Sequence, residues 1–202
     1  EGYEEVQHDL IYETPKYGND DDYADQQAVS VFEIYYDAVN GRPDARGGVH
    51  RINMLPTTSH IYFGGVTGAT ADGRKAFKPL SEGISPSQGA DKEGPTAVIK
   101  SASKIDHLRT GGTLLNQKFS PQFFDDEESY NCLTALIRSY FTLDGHHIQF
   151  NVVNASTLRE AQKHPELYRD LIVRVAGYSD YFNDLGEELQ NEIITRTEHE
   201  KG

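Results

Sequence analysis

From Gly64 to Gly94 the chain holds seven glycines, with Pro79 and Pro86 and several serines among them. Glycine and proline at this density disfavour a long helix or a central strand. Connections inside compact domains are short, so a stretch of this length belongs in one only as an ordered, functional loop. The regular elements of this chain must therefore be arranged around a long packed loop.

The flanking sequence supplies those elements. Residues 1–11 have the pattern of a short helix, and Thr14 to Asp22 that of a turn-rich loop. Apolar residues at helical spacing then run from Val29 to Val39 and stop at Asn40-Gly41. Residues 51–63 carry apolar and β-branched side chains around Pro56, which predicts extended backbone broken at the proline. Helices are expected over 96–108, 127–141, 155–164 (capped by Asn154) and 184–197. Strands are expected over 112–119, 147–153 and 171–176. This alternation predicts an α/β architecture. Gly64-Gly65 and Gly111-Gly112 lack the spacing and following helix of a phosphate cradle.

Charge and composition narrow the function. A net charge of -13 argues against nucleic acid and against an anionic membrane surface as partners. No apolar run reaches transmembrane length. One cysteine cannot build a disulfide framework, so a reducing compartment, the cytoplasm, is expected. The apolar fraction of 37% and the opening at Glu1-Gly2-Tyr3, without Met and within an apparent helix, lead us to expect a piece of a longer protein.

The chemistry is carried by Arg174-Val175-Ala176-Gly177-Tyr178, followed by Ser179-Asp180-Tyr181-Phe182. Upstream stand Pro79-Leu80-Ser81-Glu82-Gly83-Ile84-Ser85-Pro86, Gly94-Pro95-Thr96-Ala97-Val98, Gly111-Gly112-Thr113-Leu114-Leu115-Asn116-Gln117 and His146-His147-Ile148-Gln149-Phe150-Asn151-Val152-Val153. In this order, over nearly the whole chain, these segments resemble the C-terminal region of glycyl radical enzymes, the family of pyruvate formate-lyase and of the glycerol, diol and 4-hydroxyproline dehydratases. The resemblance implies a radical on Gly177, with Arg174, Tyr178 and Ser179 supporting the loop. Glycine suits that role: the unpaired electron spreads into the adjoining amide and carbonyl only if the backbone flattens, and no side chain is present to crowd it.

The resemblance further implies the C-terminal portion of a ten-stranded α/β barrel with the radical loop inserted in the barrel. Residues 1–78 would close the barrel domain, and 79–202 would form the glycine radical domain. It implies an activating enzyme that uses S-adenosylmethionine and an iron–sulfur cluster, with no cofactor or metal held by this chain. The full enzyme is expected to be a homodimer, in the cytoplasm or a bacterial microcompartment. Leu55-Pro56-Thr57-Thr58-Ser59-His60 and Ser101 to Phe119 look most like the dehydratases. Water elimination from glycerol, propane-1,2-diol or 4-hydroxyproline is therefore the expected reaction. The alternatives are a C–N, C–S or C–C lyase of the choline, isethionate or formate C-acetyltransferase type, and a stand-alone spare-part radical protein without turnover. Thr57, Thr58 and His60 are candidate substrate-binding residues, with donors and acceptors for a hydroxylated molecule.

One family feature is missing. The thiyl-forming cysteine of these dehydratases lies in a Gly-Cys-x-Glu loop, which this sequence lacks. Cys132 sits in Tyr130-Asn131-Cys132-Leu133, read as the apolar side of a helix and expected to be buried and inert. This chain alone should then be inactive, and the rest of the barrel must supply the cysteine. Asp20-Asp21-Asp22 has no calcium-loop spacing and reads as a solvated loop. His146 and His147, neighbours leading into a strand, should face opposite ways, one buried and one exposed. The tail from Glu198 to Lys201 reads as a frayed helix end.

Overall fold

The structure, a computed structural model, describes residues 2–199. Its centre is the strand β1 (Leu115–Phe119), whose five residues are all buried. β1 pairs in parallel with β2 (Ile148–Val152) on one side and with β5 (Glu198–His199) on the other. A two-stranded antiparallel hairpin, β3 (Ile172–Arg174) and β4 (Ser179–Tyr181), forms a second sheet that packs against β2. The helices are α1 (Tyr3–Tyr12), α2 (Asp22–Val39), α3 (Ser59–Val66), α4 (Gly94–Ser103), α5 (Glu127–Thr142), α6 (Ala155–Lys163) and α7 (Glu187–Thr195). The expected α/β architecture is present. Among the described residues, no helix is long and apolar enough to cross a membrane.

Strand alternation separates two cores. Leu115 and Phe119 belong to the first core, with Ile52, Ile84, Val98, Ile99, Leu136 and Tyr140. Ile148 and Phe150 of β2 pack against the same core. Leu114 belongs to the second core, with Leu158, Val173, Val175, Phe182, Ile193 and Ile194. With a period of two, Asn116, Lys118, Gln149 and Asn151 fall on the opposite pleat from Leu115, Phe119, Ile148 and Phe150. The register places Asn116 beside Gln149 and Lys118 beside Asn151. All four are buried, and together they make a polar face directed at the hairpin and α7.

The glycine-rich stretch is an ordered loop over 67–93, while Gly64 and Gly65 end α3 and Gly94 opens α4. Gly83 shows why glycine is needed there. Its φ is +55°, and an added Cβ would strike the Leu114 carbonyl oxygen. The neighbouring Ile84 N–H donates to that same oxygen at 2.9 Å, so the loop lies directly on the strand entrance.

Several expectations are corrected. Residues 51–63 are extended only as far as Met54, whose N–H donates to Gly112 O at 2.8 Å, and whose carbonyl accepts from Leu114 N. Beyond Pro56 the chain turns and forms α3, where a strand was expected. A short apolar run fits either period. Here His60 and Gly64, four apart, form the buried face of a helix while Tyr62 and Phe63 remain exposed. The helix expected over 96–108 ends at Ser103, and the one expected over 184–197 occupies 187–195. Glu198 and His199 pair with β1 and are no frayed helix end, while Glu200 and Lys201 lie outside the described residues. The Asp20–Asp22 run is an organised helix start. Asp21 caps α2 by accepting from Ala24 N at 2.9 Å, and Asp20 pairs with Lys100 of α4 at 2.8 Å. Asn154 occupies the N-cap of α6 as expected but makes no side-chain capping bond. Cys132 is exposed on α5, contrary to the buried position expected.

Candidate functional site: the Gly177 turn

Gly177 lies between β3 and β4, with φ at +81°, in the left-handed region. Glycine enters that region without the steric cost that a Cβ brings. Nothing crowds the position: a Cβ there would meet only Leu114 Cδ1 at 3.8 Å and Leu55 Cδ1 at 4.0 Å. The constraint at Gly177 is therefore conformational, and the turn leaves its Cα uncovered within this chain.

The sheet's polar face grips the backbone around this turn. Gln149 Oε1 accepts the Gly177 N–H at 3.0 Å and the Arg174 Nε–H at 2.8 Å. The Gln149 amide nitrogen donates to Val175 O at 3.2 Å and also to Asn116 Oδ1. Asn151 makes a two-way contact with Arg174: Nδ2 donates to its carbonyl and Oδ1 accepts its N–H, each at 2.7 Å. Arg174 Nη1 reaches Ser179 Oγ at 3.3 Å, joining the two strands beside the turn. The Val175 N–H donates to Tyr178 O at 2.9 Å and closes it. Tyr178 is half-buried against the second core, and burial, then the nearby Asp180 carboxylate, raises its phenol pKa.

Behind the turn is a buried ion pair. Glu192 on α7 and Arg196 just beyond it are 2.7 Å apart, Oε2 to Nη2. Burial opposes ionisation of Glu192, yet His60 and Arg196 together hold its carboxyl down to about 2. Gln88 of the glycine-rich loop donates to Glu192 Oε1 at 3.1 Å. Glu192 and Arg196 also border a small cavity of about 30 Å3, with Glu82, Gln88, Asn116 and Lys118. Burial raises the Glu82 carboxyl and lowers the Lys118 ammonium.

The structure brings Gly177, Arg174, Tyr178 and Ser179 together in one turn. The other candidates are dispersed. Thr57 is exposed, with φ at +57°, and Thr58 is half-buried at the start of α3. His60 is buried with Nε2 3.7 Å from Glu192, so it lies in the network behind the turn. The segment that carries the threonines still reaches the turn through Leu55. His146 is exposed and His147 half-buried, and both precede β2. Burial, then Arg174, lowers the His147 pKa. Sequence reading passed over Gln149, Asn116, Asn151 and Arg196. The available signal was polar residues at alternate positions within two strands otherwise read as buried.

Residues 80–183 match the glycine radical family and residues 1–64 the pyruvate formate lyase-like family. The chain belongs to the glycyl radical enzyme family. It is 58% identical over 198 residues to trans-4-hydroxy-L-proline dehydratase of Clostridioides difficile, covering 98% of this chain and 25% of that protein. Isethionate sulfite-lyase of Bilophila wadsworthia is 44% identical over 211 residues, covering 100% and 24%. Among solved glycyl radical enzymes, the C. difficile hydroxyproline dehydratase with bound substrate superposes with a TM-score of 0.96 at 56% identity, over 99% of this chain and 25% of that one. The B12-independent glycerol dehydratase of Clostridium butyricum gives 0.93 at 48%, over 98% and 25%. The chain thus spans about a quarter of the length of the relatives it matches.

Proposed function

We propose that this chain is the radical-bearing C-terminal region of an anaerobic glycyl radical dehydratase, with the radical on Gly177. The observation that carries the proposal is the Gly177 turn. Its glycine has left-handed backbone, an uncovered Cα, and an N–H fixed by Gln149. Loss of the Cα hydrogen atom leaves an electron shared between the amide and the carbonyl, and a fixed N–H orients the plane over which it spreads. Arg174, Tyr178 and Ser179 hold the turn closed.

Residues 1–78 would complete the catalytic domain and 79–202 form the radical domain of a ten-stranded barrel. The remainder would supply the Gly-Cys-x-Glu loop. There the Gly177 radical takes a hydrogen atom from the cysteine thiol, which restores the glycine and leaves a thiyl radical to abstract hydrogen from substrate. The substrate radical then eliminates water. Thr57 and Thr58 remain candidates for contact with a hydroxylated substrate; burial of His60 against Glu192 favours a supporting role for it. A partner enzyme that uses S-adenosylmethionine and an iron–sulfur cluster would remove the Gly177 hydrogen. The full enzyme is assigned to the cytoplasm as a homodimer.

The substrate class rests on likeness to the hydroxyproline and glycerol dehydratases. The test is anaerobic activation of the full-length protein, followed by paramagnetic resonance and a panel of trans-4-hydroxy-L-proline, glycerol, propane-1,2-diol and isethionate. A glycyl signal with a dehydrated product supports the proposal. Sulfite release from isethionate would instead make it a lyase. Absence of any organic radical from correctly activated protein would end the proposal.

A further inference from the structure

We infer that Arg196, held by Glu192, is a positioning residue for Gly177, an inference that rests on the reading of Gly177 as the radical site. Arg196 follows α7 and is remote in sequence from the turn, yet its Nη1 donates to Val175 O at 3.0 Å and lies 3.4 Å from Arg174 O. The other edge of its guanidinium is committed to Glu192, with Nε 3.1 Å from each carboxylate oxygen and Nη2 2.7 Å from Oε2. Glu192 is itself held from a further direction by Gln88 of the glycine-rich loop, which donates to Oε1 at 3.1 Å, and buried His60 of α3 lies 3.7 Å from Oε2. One buried carboxylate thus links the glycine-rich loop to the arginine that grips the strand entering the turn.

The grip falls where orientation matters. Val175 O receives three side-chain donors: Arg196 at 3.0 Å, Gln149 at 3.2 Å and Asn116 at 3.4 Å. The next peptide along the chain ends in the Gly177 N–H, held by Gln149. Both peptide planes before Gly177 are therefore anchored, which fixes its Cα and leaves the glycine's own torsions to set the direction of the Cα hydrogens. Gln149 holds those planes from the sheet, and Arg196 holds the first of them from α7. A buried ion pair is a poor source of net stability, because desolvation offsets the attraction. Its contribution here is geometric. The planar fork serves a carboxylate and two carbonyls at once, and a lysine ammonium could not reach all of them in that arrangement.

The test uses the full-length enzyme activated anaerobically. Glu192→Leu with Arg196→Met replaces the pair by apolar side chains of similar size, a change that buried pairs often tolerate without loss of stability. The expected result is an unchanged melting temperature and KM, with kcat reduced on the order of 100-fold, as for a misplaced reacting group. The radical spectrum should also broaden, because the coupling to the remaining Cα hydrogen depends on a fixed plane. Arg196→Lys keeps the charge beside Glu192 and covers the case in which the double variant does not fold. It should show the same fall in kcat to a lesser degree. Wild-type kcat and line shape in a folded variant would overturn the inference. A wild-type enzyme that never acquires a radical would instead overturn the reading on which it rests.

Discussion

The side-chain oxygen of Gln149 accepts the Gly177 N–H at 3.0 Å, across 28 residues of sequence. The same oxygen takes the Arg174 Nε–H, so one amide orders both the turn and the arginine beside it. Gln149→Leu would leave both donors without this acceptor. Because Gly177 and Arg174 are only partly covered, the cost should be about 2 kcal/mol, well below that of two fully buried orphans. The radical yield per activated enzyme should fall with it. Gln149→Glu keeps the acceptor but sets its second oxygen against Val175 O and Asn116 Oδ1, and should recover the yield only in part. Denaturant unfolding and spin quantification of the three proteins check this, and equal yields would refute it.

At Gly177 the cost of a side chain is conformational. Gly177→Ala should fold, since its methyl group meets nothing closer than 3.8 Å, but a left-handed alanine costs about 1–2 kcal/mol. The variant should carry no radical. Activated wild-type protein exposed to air should break at Gly177 through a peroxyl species, releasing a piece that begins near Tyr178, whereas the alanine variant stays intact. Mass spectrometry under denaturing conditions reads both. An unbroken wild-type chain after a verified radical signal would move the radical elsewhere.

The piece so formed should remain in place under native conditions. Downstream of Gly177, β5 pairs with β1, Arg196 holds Val175 O, and Glu198 accepts the Ala155 N–H at 2.8 Å. Buried Lys118 donates to Ile194 O at 2.9 Å, and Phe182, Ile193 and Ile194 lie in the second core. Gel filtration of the nicked enzyme should therefore recover the C-terminal piece with the large one, and separation should require denaturant. Spontaneous loss of the piece would mean that these contacts do not hold without the covalent link.

Asp91 and His199, 3.6 Å apart, should impose opposite pH dependences on stability. Burial pushes the Asp91 carboxyl up to about 6, so the folded state holds an extra proton between its ordinary 3.8 and about 6. The stability from this group declines as pH rises through that window. Burial, then Lys118, pushes the His199 imidazole down to about 4 from 6.5. The unfolded chain holds the extra proton there, so the stability from His199 is lost as pH falls from 6.5 towards 4. In the wild type the two slopes offset. Asp91→Asn should expose the histidine, with a melting temperature that climbs between about pH 4 and 6.5 more steeply than in the wild type. His199→Gln should give the reverse tilt. Parallel profiles for both variants would exclude this account.

The sequence alone determined the family, the motif around Gly177, most helices and the central strands. These are local features. The Arg174–Tyr178 motif and its neighbours are read in order along the chain, and helix and strand periods repeat within a few residues. Local pattern failed over 51–63, where a short apolar run suited either period and the burial of His60 and Gly64 selected the helix. It failed again at β5, whose two residues become a strand only because β1 offers them an edge. Tertiary structure alone decided what Gln149, Asn151, Arg196 and Glu192 are for. Their partners lie far from them in sequence or depend on the exact turn of a helix. A buried polar side chain takes its role from whichever backbone groups the fold leaves in need of a partner.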